Sequence, residues 1–138
     1  MTQSARYNTD GLSEEQLAVL AVAETFLSGI RLRDKALMLA QVLPAGGATL
    51  LRNGVPLHTT LAGVVERLPF DWPQKMSEPI VGTPVVLIDR DIAMAWTPYE
   101  FWMDGNLDHV GTDIWSFVKK DGRWIISGVA DNNRKPDE

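Results

Sequence analysis

Three side chains in the second half of the chain are suited to proton transfer: Asp113, Tyr99 and His109. A carboxyl group that lies among aromatic rings with little water has its charged form destabilised, so its pKa rises toward neutrality. Asp113 in such surroundings is a candidate general base or general acid. Tyr99 could donate a hydrogen bond to a developing enolate oxygen. His109, about 13 Å from Asp113 at ~3.3 Å per strand residue, could contact the opposite end of a substrate.

The composition argues against several other kinds of site and binding partner. The 138 residues include no cysteine and two histidines, which excludes disulfides, thiol nucleophiles and the usual zinc sites, while a Ser-His-Asp triad stays open. With 18 acidic and 13 basic residues, the net charge of −5 argues against binding to nucleic acid or to an anionic membrane. No apolar run approaches the roughly 18 residues of a spanning helix, and the first residues lack the features of a signal peptide. We therefore expect a cytoplasmic protein that uses no cofactor and no metal.

The chain length favours one domain, since two halves of about 70 residues would each be marginally stable. Apolar residues make up 45% and charged residues 22%, which is the balance of an ordinary globular domain. The polar ends, residues 1–11 and 132–138, are predicted to be flexible tails. The domain itself is predicted to span residues 12–134.

Helices are predicted in the first half of the chain. Ser13 and Gln16 have the spacing of a capping box, which predicts a long helix from there to about Leu32. Asp34 could cap a short helix over Lys35–Val42, and a third helix is predicted at about Thr60–Leu68.

Strands are predicted in the second half. Four runs have strand character: Pro79–Ile88, Ile92–Met103, Asp108–Lys119 and Arg123–Ala130. Short turns join them, so neighbouring strands should be antiparallel and form a meander. The Asn53-Gly54 pair predicts an earlier hairpin, with Pro56 confining its second arm to an edge. Helices first and strands last are typical of an α+β domain.

Strand alternation predicts which side chains share the face of Asp113. On its own strand these are His109, Gly111, Trp115 and Phe117. A two-residue turn at Asp121-Gly122 would set three pairs: Phe117 with Ile126, Trp115 with Gly128, and Asp113 with Ala130. A three-residue turn after Asp104 would set four more: Met103 with Leu107, Phe101 with His109, Tyr99 with Gly111, and Thr97 with Asp113. A two-residue turn there would instead bring Glu100 and Trp96 to this face. The predicted pocket is lined by Phe26, Trp72, Phe101, Gly111, Trp115, Phe117, Gly128 and Ala130.

Four short motifs carry a family resemblance: Trp96-Thr-Pro-Tyr-Glu-Phe, His109-Val-Gly-Thr-Asp-Ile-Trp, Asp121-Gly-Arg-Trp-Ile-Ile and Ala130-Asp131. Over about residues 12–134 the chain resembles the nuclear transport factor 2-like (NTF2-like, cystatin-like) superfamily, and its SnoaL-like branch in particular. The resemblance implies a cone-shaped domain, in which a curved antiparallel sheet wraps around a long N-terminal helix accompanied by two short helices. It also implies a ligand cavity at the open end of the cone.

Relatives of this kind include polyketide cyclases, ketosteroid isomerases and scytalone dehydratases, as well as members without known chemistry. Asp113 and Tyr99 resemble the carboxylate and tyrosine of ketosteroid isomerase. The resemblance therefore implies a cofactor-independent isomerase, cyclase or dehydratase acting on a small apolar, carbonyl-bearing or polycyclic metabolite. Two alternatives stay open. The protein could be a non-catalytic binding or dimerising accessory domain, and Asp113 could be a structural acid that accepts hydrogen bonds from Tyr99, Thr97 or an arginine.

The opposite face of the predicted sheet is also apolar, and no predicted helix is left to cover it. Its members are Val110, Ile114, Val118, Ile125 and Val129, with Met94 and Trp96 from the neighbouring strand. A second copy related by a twofold axis would bury this surface. We therefore expect a homodimer that forms through the outer sheet face.

Overall fold

One curved sheet and three helices make up residues 7–137, the part of the chain that the computed structural model describes. The helices are α1 (Glu14–Leu32), α2 (Lys35–Leu39) and α3 (Leu61–Glu66). The strands are β1 (Val42–Arg52), β2 (Val55–Thr60), β3 (Met76–Ser77), β4 (Val85–Asp89), β5 (Ile92–Met103), β6 (Asn106–Lys120) and β7 (Arg123–Asp131). Helices that lie against a single sheet confirm the predicted α+β class.

Helix α1 begins at the predicted capping box. The Ser13 hydroxyl accepts a hydrogen bond from the Gln16 amide at 3.1 Å, and the Gln16 side chain accepts one from the Ser13 amide at 2.8 Å. Val19, Ala23 and Phe26 on one side of the helix are buried against the sheet. Since burial of such side chains provides most of the stability of a helix in a protein, this apolar stripe fixes α1 inside the curve of the sheet.

The sheet has the order β2-β1-β7-β6-β5-β3, and β4 pairs with the remaining part of β5. The hairpins β4-β5, β5-β6 and β6-β7 are antiparallel, as predicted. Strands β1 and β2 form the predicted hairpin around Asn53-Gly54, and Pro56 lies in an edge strand. Strand β1 runs parallel to β7, a pairing that the predicted meander did not include.

Two predicted elements have different bounds in the structure. The second helix ends at Leu39 and not at Val42, which is the first residue of β1. A side chain at Gly46, inside β1, would collide with the carbonyl oxygen of Ser127, so the glycine permits close approach to β7. The run Pro79–Ile88 is not one strand: Ile80 forms an isolated bridge with Tyr99, and regular pairing starts again at Val85.

Parts of both predicted tails are hydrogen-bonded to the domain. Tyr7 bridges to Gly82, and its hydroxyl donates to Glu24 at 3.2 Å. Arg134 pairs with Val110 through two backbone hydrogen bonds of 2.9 and 3.0 Å. Residues 1–6 and 138 lie outside the described part, and the bounds of the domain and of its flexible tails stay a prediction. None of the helices within residues 7–137 has the length and apolar character needed to cross a bilayer.

Candidate active site

The pairing of β5 with β6 fixes the position of Asp113. Thr97 lies opposite Asp113, Tyr99 opposite Gly111, and Phe101 opposite His109, which confirms the predicted register. At the end of the hairpin the prediction was wrong, because Met103 pairs with Asn106 and Trp102 with Leu107. A two-residue turn with positive φ at Asp104 and Gly105 is followed by a bulge, and together they give the same register as the predicted three-residue turn.

The pairing of β6 with β7 was predicted correctly only near the turn. Phe117 lies opposite Ile126, as expected, but a bulge then shifts the register so that Ser116 pairs with Gly128 and Asp113 with Asp131. Gly128 and Ala130 consequently pair with outward-facing residues and do not line the interior, and Val129 packs against the core instead of the outer face. Because one extra residue in β7 reverses the alternation of its side chains, Asp131 takes the position opposite Asp113 that was predicted for Ala130.

The aromatic side chains beside Asp113 form a packed wall. Trp115 and Phe117 are buried, and Phe26 from α1 meets Trp115 edge-on at 5.8 Å between ring centroids. The Trp115 indole donates a hydrogen bond of 2.9 Å to the Thr97 hydroxyl. Trp72 is 49% exposed, so its predicted place inside the pocket was wrong.

Asp113 is 3% exposed, and it lies in hydrogen-bonding contact with the carboxyl group of Glu78. Its Oδ2 atom accepts no hydrogen bond from a fixed donor in the described chain. Burial raises the pKa of Asp113 well above its usual range, and the nearby charges of Glu78 and Asp131 raise it further. Burial also raises the pKa of Glu78, to about 8, with a smaller contribution from Asp131. Two carboxyl groups in contact cannot both ionise easily, so the pair keeps at least one proton at neutral pH.

A bidentate ion pair lies next to these two acids. Arg52, at the end of β1, donates to both carboxylate oxygens of Asp131, at 2.8 and 3.2 Å. Strand β1 lies parallel to β7 and thereby brings Arg52 to Asp131. The positive charge of Arg52 lowers the pKa values of Glu78 and Asp113, although by less than burial raises them.

The Tyr99 hydroxyl is committed to a backbone partner. It donates to the carbonyl oxygen of Asn132 at 2.7 Å, and the residue is 2% exposed. Burial and the charges of Glu78, Asp131 and Asp113 raise the pKa of Tyr99 above its ordinary value. Gly111 makes room for this arrangement, since a side chain there would collide with the Asn132 carbonyl and with the tyrosine ring.

His109 lies apart from the carboxyl pair. Its ring stacks on Phe101 at 4.7 Å, and Nδ1 lies 2.9 Å from a carboxylate oxygen of Asp108. It lines an open recess of about 580 Å³, which we call the rim recess. The other lining residues are Leu51, Asn53, Gly54, Asp108, Asn132, Asn133, Arg134 and Lys135. No three histidine, aspartate or glutamate side chains within residues 7–137 are grouped as a metal site.

Glu78 was missed in the sequence, although a signal for it exists. Met76 and Ile80 are both buried, and Glu78 lies between them at the two-residue spacing of an extended chain. Alternation therefore places its side chain on the same side as those two residues. Arg52 gave no such signal, because its contact with Asp131 depends on the parallel pairing of β1 with β7.

No protein-family model and no curated protein sequence matches the chain. Solved structures do match. An NTF2-like protein of unknown function from Shewanella baltica is 14% identical, with a TM-score of 0.66 over 92% of this chain and 98% of that one. The fold is NTF2-like.

Proteins assigned to different roles share this NTF2-like fold. One, from Novosphingobium aromaticivorans, is assigned as the beta subunit of an aromatic-ring-hydroxylating dioxygenase, with 14% identity and a TM-score of 0.70 over 88% of this chain and 90% of that one. Another, from Xanthomonas campestris, is assigned as a calcium/calmodulin-dependent protein kinase II association domain, with 18% identity and a TM-score of 0.70 over 98% of this chain and 96% of that one. At such identities the likeness shows the fold alone, so function has to be argued from the site.

Proposed function

We propose that this NTF2-like protein is a cofactor-independent enzyme of the SnoaL-like kind, an isomerase, cyclase or dehydratase, that moves a proton on an apolar carbonyl-bearing or polycyclic metabolite. The observation that carries the proposal is the contact between buried Asp113 and partly buried Glu78, with the raised pKa values of both. A carboxyl pair that holds one proton near neutral pH offers a base and an acid together.

In the proposed reaction the two carboxyl groups have complementary roles. The ionised member removes the proton from the carbon next to the substrate carbonyl, while the protonated member donates its proton toward the carbonyl oxygen. The first proton then returns to a different carbon while the enol oxygen gives the second proton back to its carboxylate, which yields the isomer and restores the pair. Tyr99 is predicted from the sequence as the donor, but its hydroxyl donates to the Asn132 carbonyl. The protonated acid therefore takes the donor role in the proposed reaction.

The surroundings of the pair favour an uncharged substrate. Trp115 and Tyr99 border the site with aromatic surface, and Arg52 is already neutralised by Asp131. A carboxylate or phosphate on the substrate would have to displace that ion pair. The same surroundings keep water scarce, which strengthens the interactions made with developing charge.

The test is exchange of carbon-bound hydrogen. The protein is incubated in deuterium oxide with a panel of uncharged cyclic ketones, and NMR follows deuterium uptake next to the carbonyl. Exchange by the wild-type chain should fall at least about 100-fold in Asp113→Asn and in Glu78→Gln. Glu66→Gln, which changes an exposed acid at the end of α3, is the matched control and should exchange at the wild-type rate. Unchanged exchange in both site variants would overturn the proposal.

A non-catalytic, dimerising role is the second candidate, and a specific surface favours it. Leu87, Trp96 and Ile114 project from the outer face of β4, β5 and β6 with exposures of 62%, 40% and 47%. Three large apolar side chains on adjacent strands form the kind of patch that a soluble protein usually covers with a partner. We propose a homodimer through this face, a state compatible with either function.

A further inference from the structure

The donors nearest to Asp113 are already in use. Tyr99 donates to the Asn132 carbonyl, and the Trp115 indole donates to the Thr97 hydroxyl. Arg52 directs both of its terminal nitrogens to Asp131, and one of them also to the Leu51 carbonyl. Apart from the shared proton and the hydroxyl proton of Thr97, the groups around the pair therefore offer acceptors.

The site also contains more acidic groups than basic groups. Three carboxyl groups, those of Glu78, Asp113 and Asp131, act on one another, and one guanidinium group lies among them. The bidentate bond makes Arg52 and Asp131 neutral together. The remaining pair has no cation of its own, and Asp113 Oδ2 is buried without a fixed donor in the described chain. A ligand that reaches this pair is bound best if it brings donors and positive charge.

Aromatic rings complete a suitable environment for such a ligand. The side chains of Trp115 and Tyr99 flank Asp113, one on its own strand and one on the neighbouring strand. Cations are attracted to the faces of such rings, and an ammonium group supplies three donors as well as a charge.

We propose that the Asp113–Glu78 pair binds protonated apolar amines, with the ammonium group in place of the shared proton. The inference rests on the proposed function only in placing the ligand at the same two carboxyl groups. Binding of an ammonium ion releases the shared proton to solvent, so the pair loses its acid. Amines are therefore inhibitors of the proposed proton transfer.

The experiment uses three probes of equal size and the full-length protein. Cyclohexylamine, cyclohexanol and cyclohexanecarboxylate are titrated by calorimetry at pH 7, and a pH indicator in weakly buffered solution reports proton release. Cyclohexylamine should bind at least about tenfold more tightly than cyclohexanol and release a proton, whereas the carboxylate should show no binding. At about pH 9 the carboxyl pair loses protons to solvent before the amine binds. Amine binding should therefore be tighter at this pH, and fewer protons should be released on binding.

Variants test whether the amine binds at the carboxyl pair or elsewhere on the protein surface. Asp113→Asn and Glu78→Gln should each weaken cyclohexylamine binding at least about tenfold, and Glu66→Gln should leave it unchanged. Circular dichroism checks that each variant is folded. Equal affinity for amine and alcohol, or amine binding that survives both substitutions, would overturn the inference. If the protein exchanges the hydrogens next to the ketone carbonyl but does not bind the amine, only this inference is overturned. If it binds the amine but does not exchange those hydrogens, only the proposed reaction is overturned.

Discussion

The carboxyl group of Asp113, which is buried, lies in hydrogen-bonding contact with the carboxyl group of Glu78, which is partly buried. Asp113 belongs to the centre of β6, whereas Glu78 follows the two-residue strand β3. Backbone pairing of Ser77 with Trp102 and of Pro79 with Glu100 holds Glu78 on both sides. The contact therefore joins the centre of β6 to the backbone segment that follows β3.

The first prediction concerns stability. The pair holds its proton more tightly in the folded chain than in the unfolded chain, so the free energy of unfolding should fall as pH rises from about 4 to about 8. Asp113→Asn removes one of the two titrating groups. The variant should be more stable than wild type at pH 8.5, by on the order of 2 kcal/mol, with a much smaller difference at pH 5.

Urea denaturation at the two pH values measures this difference. Asp89→Asn, an exposed acid at the end of β4, is the control and should follow the wild-type pH dependence. A pH dependence that is the same in Asp113→Asn as in wild type would show that the pair does not carry a shared proton.

The second prediction concerns the neighbouring ion pair. The negative charge of Asp131 raises the pKa values of Glu78 and Asp113, and the positive charge of Arg52 lowers them. Asp131→Asn leaves the cation unpaired, so the carboxyl pair should titrate about one pH unit lower, whereas Arg52→Gln should shift it upward. Carbon-13 NMR of the carboxyl groups follows both titrations. Shifts in the same direction for the two variants would contradict this electrostatic account.

Much of the fold could be predicted because local signals agreed with the tertiary structure. The Ser13 capping box, the Asn53-Gly54 hairpin and the alternation along β6 depend on residues close together in the sequence. The pairing of β5 with β6 was predicted around Asp113 even though the turn was not, since turn and bulge compensate.

The site itself was predicted only in part. Asp113 was found from alternation, but Asp131 was missed because nothing in the sequence marks the bulge in β7 that brings it opposite Asp113. Arg52 was missed because its contact with Asp131 depends on the parallel pairing of β1 with β7, which the predicted meander did not include. These are contacts between distant segments, which a single sequence specifies only through the complete fold.

The third prediction tests the outer sheet face. Ile114→Lys places a charge at the centre of the apolar surface formed with Leu87 and Trp96, and should convert a homodimer to a monomer because the charge would be buried without a partner. Light scattering at micromolar concentration measures the mass. Leu57→Lys, an equally exposed apolar residue on the edge strand β2, is the control and should leave the dimer intact. A wild-type chain that is monomeric at these concentrations would contradict the proposed interface.

The last prediction concerns the segment that leads to Glu78. Arg33 ends α1 with a left-handed backbone, φ 54°, and its guanidinium group donates to the carbonyl oxygens of Phe70, Trp72 and Gln74 at 2.6 to 2.9 Å. Glycine suits this backbone conformation, so Arg33→Gly should preserve the helix end while releasing the segment.

Hydrogen exchange should therefore become faster in residues 70–76 but stay unchanged in α1, and the carboxyl pair should titrate over a broader pH range because Glu78 is held less firmly. Arg90→Gly is the matched control, since Arg90 has the same backbone conformation, φ 57°, in the exposed turn between β4 and β5. If exchange in residues 70–76 were equally slow in Arg33→Gly and Arg90→Gly, the backbone contacts of Lys75 with Asp104 would be sufficient to hold the segment, and Arg33 would have no role in placing Glu78.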